Sequence, residues 1–147
     1  MSLEEENKEL VRQHLDRISA GDVKGPAETW APEALNHGQK VDREAVTRVM
    51  ESLITLHEHR TIHQMIAEGD WVAVRTTCSG KYTMQPALLV NSGIFTELGP
   101  TGQTYKFQDI HIFKVVEGKI VEHWANRDDL GAARQIGLKL KPADTRS

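Results

Sequence analysis

The 147-residue sequence predicts an α+β fold, with N-terminal helices packed on the concave side of a curved, mostly antiparallel sheet, and three observations carry that prediction. Apolar residues recur at helical spacing through the first third of the chain, and from about His59 the period drops to two. Glycine-centred turns then cut the rest into hairpins. Helices first, hairpins next and a short closing helix last is the order of a segregated α+β fold, in which the helices cover one face of the sheet.

Between Glu4 and Ala20, Leu10, Val11, His14, Leu15 and Ile18 mark one face of an amphipathic helix, and "AGD" stops it. After the turn "GDVKGP", the stretch "AETWAPEALNHG" reads as a short helical turn running into an irregular piece, with Pro32 as the breaker. A further helix follows. In "DREAVTRVMESLITLH" an aspartate stands at the N-cap and Val46, Val49, Met50, Leu53, Ile54 and Leu56 supply the apolar face. "RTIHQMIAEGDWVAVRTTCSGKYT" is a hairpin turning at Glu68, Gly69 and Asp70, and "TYKFQDIHIFKVVEGKIVEHWAN" is a second, turning at Glu117 and Gly118. Between them, "MQPALLVNSGIFTELGPTGQ" holds two prolines and three glycines and reads as a long excursion, with "LGPTG" a tight turn. Finally "DDLGAARQIG" is an aspartate-capped helix with Gly137 past its end, followed by a polar tail. One domain is expected over 1–147, ordered from about 6 to 137, with a flexible C-terminal tail.

Composition narrows the partners. Eighteen basic against 21 acidic residues leave a net charge of −3 with no basic run, so nucleic acid and anionic membrane are poor partners. Apolar runs such as "PALLV" are too short to span a bilayer, and the acidic start "MSLEEENKEL" lacks the features of a signal peptide, so a cytoplasmic home is expected. The lone Cys78 excludes an intrachain disulfide and a thiolate cluster, and reads as a packing residue. Phosphate loops, nucleophile elbows and CxxC pairs are absent from the sequence.

Two strands gather the polar groups. In "FQDIHIFK", alternation puts Phe107, Asp109, His111 and Phe113 on one face. In "IVEHWANR" it puts Ile120, Glu122, Trp124 and Asn126 opposite Val121, His123, Ala125 and Arg127, and the sequence does not say which set faces inward. His57, His59 and His63 cluster in "LHEHRTIH", but Glu58 points to the other face of a strand there and HExxH spacing is absent, so the expected metal site is none.

The segment "KVVEGKIVEHWANRDDLGAARQIG" resembles the C-terminal signature of the SnoaL-like polyketide cyclase family, with Asp128 at the aspartate four residues after the tryptophan. "LNHGQ", "IAEGDWVAVRTTCSG" and "PTGQTYKFQDIHIF" resemble that family's earlier segments, so the likeness runs from about Glu6 to Gly137. It implies an NTF2-like, cone-shaped α+β barrel, usually dimeric or higher, whose pocket closes a polyketide ester ring by intramolecular aldol addition without a cofactor. The sequence departs from the family at "SGKYTM", where many members have a glycine–histidine pair, and in the length of the excursion.

Aldol closure needs a base for the proton between two carbonyls, donors for the enolate oxygen, and return of the proton to the new alkoxide. Asp128 is the family-matched acid, although an aspartate opening a helix is also an ordinary N-cap. Asp109 is the second candidate acid and His111 a donor or its partner. His37, Trp124, Asn126, Glu122, Tyr82 and Trp30 are candidate substrate contacts; the plain alternatives are loop polarity for His37, core packing for the two tryptophans and a surface strand position for Tyr82. The expected partner is a hydrophobic carbonyl-bearing small molecule, bound by a homodimer. The alternatives are an isomerase or dehydratase in the same pocket, or a non-catalytic ligand-binding or dimerisation module.

Overall fold

The computed structural model describes residues 1–83 and 99–144. Helix α1 (Leu3–Ser19) starts where Ser2 accepts the Glu5 N–H, with Glu4, Glu5 and Glu6 in the positive first turn. Its buried face is Val11, His14, Leu15 and Ile18, as the spacing predicts. Helix α2 (Lys24–Thr29) follows, and strand β1 (Trp30–Asn36) takes the place of the expected irregular piece. Pro32 does not break it. β1 meets its parallel neighbour at Trp30 and again at Leu35 with a register shift between them, so the missing proline N–H falls where no ladder bond is required.

A two-residue turn at His37 and Gly38, both with positive φ, joins β1 to β2 (Gln39–Asp42), so a hairpin stands where a loop around His37 is expected from the sequence. Asp42 then caps α3 (Arg43–Thr55) by accepting the Ala45 N–H. Strands β3 (His59–Glu68) and β4 (Trp71–Lys81) form the first predicted hairpin. The second is β5 (Thr104–Val116) with β6 (Lys119–Arg127), and α4 (Asp129–Gln135) closes the chain. Of the excursion expected over Met84–Gln103, residues 84–98 lie outside the described residues.

The strands lie in the order β2-β1-β6-β5-β4-β3, antiparallel except for the parallel β1–β6 pair, in one curved sheet that does not close on itself. Helices α1 and α3 cover its inner face. There Val11, Leu15, Ile18, Val46 and Met50 bury Val72, Val74, Phe113, Val115 and Ile120. A second cluster packs Leu56, Cys78, Tyr82, Tyr105 and Phe107 against Ala132, Ala133 and Ile136 at the α4 end. Tyr82 is therefore fully buried rather than a surface tyrosine, because the chain bends inward past β4 and its N–H bonds the Gln103 carbonyl.

Candidate active site

Strand β5 alternates without interruption, and its buried set is the polar one: Phe107, Asp109, His111 and Phe113 all face inward. On β6 a register shift opposite Lys114 and Val115 changes the phase, so Ile120 points in but the inward residues further along are His123 and Ala125. Trp124 and Asn126 stand exposed on the outer face, where Trp124 pairs with Ile112, and the half-buried Glu122 lies opposite Lys114. The inward histidine of β6, absent from the sequence-derived candidates, is the one that meets His111.

These inward groups form a continuous hydrogen-bonded file. Asp109 Oδ2 is 2.9 Å from His111 Nε2, and His111 Nδ1 is 2.8 Å from His123 Nε2. His123 Nδ1 then lies 2.7 Å from Asn36 Oδ1 on β1. Four polar side chains from three adjacent strands are thereby joined across the sheet. At the Asp109 end, Thr76 donates to Oδ1 and Arg60 Nη1 donates to Oδ2 at 2.7 Å; the same Nη1 lies 2.9 Å from His111 Nε2. Arg60 Nη2 reaches Glu58 at 3.0 Å, and both side chains are almost entirely out of solvent. Glu58 and Arg60 were not candidates in the sequence reading. Glu58 turns inward because His57, at φ 53, ends α3 in the left-handed region and leaves its flanking histidines His57 and His59 exposed.

The electrostatics separate acid from bases. Burial opposes ionisation of Asp109, yet the His111 hydrogen bond, the Arg60 charge and Thr76 outweigh it and hold the carboxyl well below the usual carboxylate range. Asp109 is a permanent anion at neutral pH. Burial pulls His111 down despite its hydrogen bond to Asp109, and pulls His123 well down with help from the neighbouring imidazoles and Arg60. Both imidazoles are thus neutral at pH 7, able to accept a proton.

Around the file stand His37, whose ring meets His123 and Trp124 edge-on at 6.0 and 5.3 Å, and Trp30, edge-on to His123 at 5.7 Å. His37 accepts the Ala125 N–H at 3.2 Å, tying the β1–β2 turn to β6. Among the described residues, two buried side-chain nitrogens have no hydrogen-bond partner: Trp30 Nε1 and His14 Nδ1. His14 packs between Trp30 and Phe113, where burial pushes it down to about 3.

Asp128 lies outside this cluster. It is exposed, and its Oδ1 accepts the Gly131 N–H at 3.0 Å as the N-cap of α4. His57 and His59 are exposed, and His63 bonds Thr77 at 2.6 Å. No group of three potential metal ligands occurs among the described residues, and none of their helices is long and apolar enough to cross a membrane.

Compared with known proteins, the sequence matches the SnoaL-like polyketide cyclase family over residues 8–136, most of the chain. The chain belongs to the SnoaL-like polyketide cyclase family. Similar solved structures include a candidate SnoaL-like polyketide cyclase from Jannaschia sp. CCS1, at 21% identity and a TM-score of 0.73, with 95% of this chain and 97% of that one covered. IdmH from Streptomyces antibioticus, a candidate polyketide cyclase, aligns at 22% identity and 0.68, covering 90% and 99%. SalBIII, an epoxide hydrolase/cyclase-like enzyme of pyran ring formation in the polyether salinomycin, aligns at 21% and 0.71, covering 89% and 97%. At these identities the likeness carries the fold, an NTF2-like α+β architecture, and no curated protein matches the sequence.

Proposed function

We propose that this family member is a cofactor-free acid–base enzyme that closes a ring by intramolecular aldol addition on a hydrophobic carbonyl compound, using the His123–His111–Asp109 file as its base. The observation that carries this is the file itself: an ionised carboxylate behind two neutral imidazoles, ending at the half-buried His123. With His111 donating Nε2–H to Asp109 and His123 donating Nε2–H to His111, His123 Nδ1 carries a lone pair, which requires the Asn36 amide to turn its NH2 rather than its Oδ1 towards that nitrogen and to release it when the substrate binds. The C–H bond between two substrate carbonyls breaks, its proton goes to His123 Nδ1 and its electron pair to the enolate. The enolate carbon attacks the second carbonyl, and the resulting alkoxide recovers the proton from His123. Asp109 stays ionised throughout and stabilises the imidazolium through His111. The unpartnered Trp30 N–H and the Asn36 amide are the neutral donors for the enolate oxygen, with His37 closing the side of the site.

On this reading Asp128 serves the helix, since its Oδ1 is occupied by the Gly131 N–H. Exchange of a β-dicarbonyl probe's α-proton with deuterium tests the assignment: loss in His123→Asn and His111→Asn with retention in Asp128→Asn supports it. Retention in both histidine variants, with loss in Asp128→Asn, would transfer the base to Asp128. Tight binding of the probe without exchange in the native protein would leave a ligand-binding module.

We infer further that the protein is a homodimer formed through the outer face of the sheet. Ile66, Ala73, Ile112 and Trp124 pair in register as one apolar row across β3 to β6, and Ile66, Ile112 and Trp124 are 71%, 40% and 41% exposed. The row beside it carries Glu68, Trp71, Lys114 and Glu122, and the row on the other side Gln64, Arg75, Ile110 and Asn126. A two-fold axis through the apolar row brings the acids of one copy towards Arg75 of the other, the self-complementarity that an isologous contact needs.

A further inference from the structure

The cluster behind the file contains one cation and two carboxylates, and only one of the carboxylates touches a histidine. Arg60 spans them: Nη2 meets Glu58 at 3.0 Å, while Nη1 sits 2.7 Å from Asp109 and 2.9 Å from His111 Nε2. A guanidinium is planar, so gripping one nitrogen fixes the direction of the other. Glu58 is itself fixed, because its N–H bonds the Leu53 carbonyl at the end of α3, and the Arg60 N–H bonds Ser19 Oγ at the end of α1. Two helix ends therefore aim this arginine at the Asp109–His111 contact.

We propose that Arg60, clamped by Glu58, is the positioning residue that keeps the Asp109–His111 pair as a carboxylate facing a neutral imidazole, so that the file is free to take up a proton. Without the cation, an isolated buried carboxylate against an imidazole would draw a proton onto His111, and the file would enter the reaction already loaded. The groups acting on His111 are Asp109 on its own strand, Arg60 and Glu58 from β3 and its approach, His123 from β6, His14 from α1 and His37 from the β1–β2 turn, while Thr76 and Cys78 of β4 act on Asp109 and Arg60 behind it. Among these described groups Arg60 is the only permanent cation. The inference rests on the file being the base, but what it asserts is a proton affinity that is measurable without substrate.

The test is the His111 titration midpoint, read by imidazole NMR in the full chain. Replacing both charges in Glu58→Gln/Arg60→Gln keeps the side-chain lengths similar and leaves Asp109 without a cation, so the midpoint should rise by about one unit or more, tenfold in proton affinity. Glu58→Gln alone keeps the cation and removes an anion, so the midpoint should fall. Arg60→Lys keeps a cation within reach of Asp109 without the fork and should stay within about half a unit of the native value, because the fork serves to place the charge and the charge sets the affinity. Opposite shifts in the first two variants are not what a merely structural role produces. An unmoved midpoint in the double variant overturns the proposal. If that variant does not fold, a rise in Arg60→Lys or in Glu58→Gln overturns it instead. Should the deuterium exchange above fail while these shifts occur, the catalytic reading falls and the positioning role stands.

Discussion

His14→Leu isolates one buried imidazole whose cost depends on pH. In the folded chain His14 is held down to about 3 from an ordinary 6.5, by burial first and then by the charges of Arg60, His111 and Arg17. A histidine with a lowered folded-state value binds fewer protons folded than unfolded, so its stabilisation is complete above pH 6.5 and is lost as the pH falls towards 3. The slope is about 1.4 kcal/mol per pH unit for one fully depressed group, which gives roughly 2 kcal/mol between pH 6.5 and 5. Leucine removes both the titration and the unpartnered Nδ1 while filling most of the space between Trp30 and Phe113. At pH 7.5 the variant should lie within about 1–2 kcal/mol of the native protein, since the lost ring contacts and the relieved buried nitrogen oppose each other. At pH 5 the difference should have moved by about 2 kcal/mol in favour of the variant. Urea unfolding at pH 5, 6, 7 and 8 measures this. Native and variant curves that run parallel with pH would refute the argument, because His111 and His123 titrate in both proteins and cancel.

Four further outcomes follow from the same geometry. Asp109→Asn leaves Arg60 buried with Glu58 alone and should cost roughly 3–5 kcal/mol in denaturant unfolding, in addition to abolishing exchange. Asp128→Ala removes the α4 cap and should cost about 1 kcal/mol with exchange intact. Ile112→Glu should yield a monomer by light scattering with an unchanged far-UV spectrum, since it disturbs only the outer face. Gly80→Ala should destabilise by about 1–3 kcal/mol in thermal melts, because the new methyl meets Tyr105 Cζ at 2.6 Å and the Leu56 carbonyl at 3.0 Å.

Most of the fold was legible because its elements are punctuated. Gly69 and Gly118 stand in turns at positive φ, Asp42 and Asp128 cap helices, and the alternation through β5 assigned Asp109 and His111 correctly to one face. β1 was not legible, because a proline in a seven-residue apolar and polar mixture looks like a break unless the register shift that tolerates it is known. The β6 half of the site failed for a related reason. Alternation counted from Ile120 puts Trp124 inward, and a phase change beside Lys114 and Val115 puts His123 there instead. Glu58 and Arg60 are separated from Asp109 by about fifty positions, and only their burial marks them. A charged pair two apart in "EHR" has the same appearance on a solvated strand.

The one parallel contact among the described strands, β1 with β6, joins positions about ninety apart, and Asn36 reaches His123 across it. Hairpins β3–β4 and β5–β6 need only local closure, whereas this seam must overcome the closure entropy of a separation of about ninety residues. Refolding should therefore proceed through a species with its hairpins formed and the histidine file still open at one end. Substitutions at the seam, such as Leu35→Ala, should slow refolding more than equivalent changes inside either hairpin. Competence for proton transfer would then arrive late in maturation, after most secondary structure has formed.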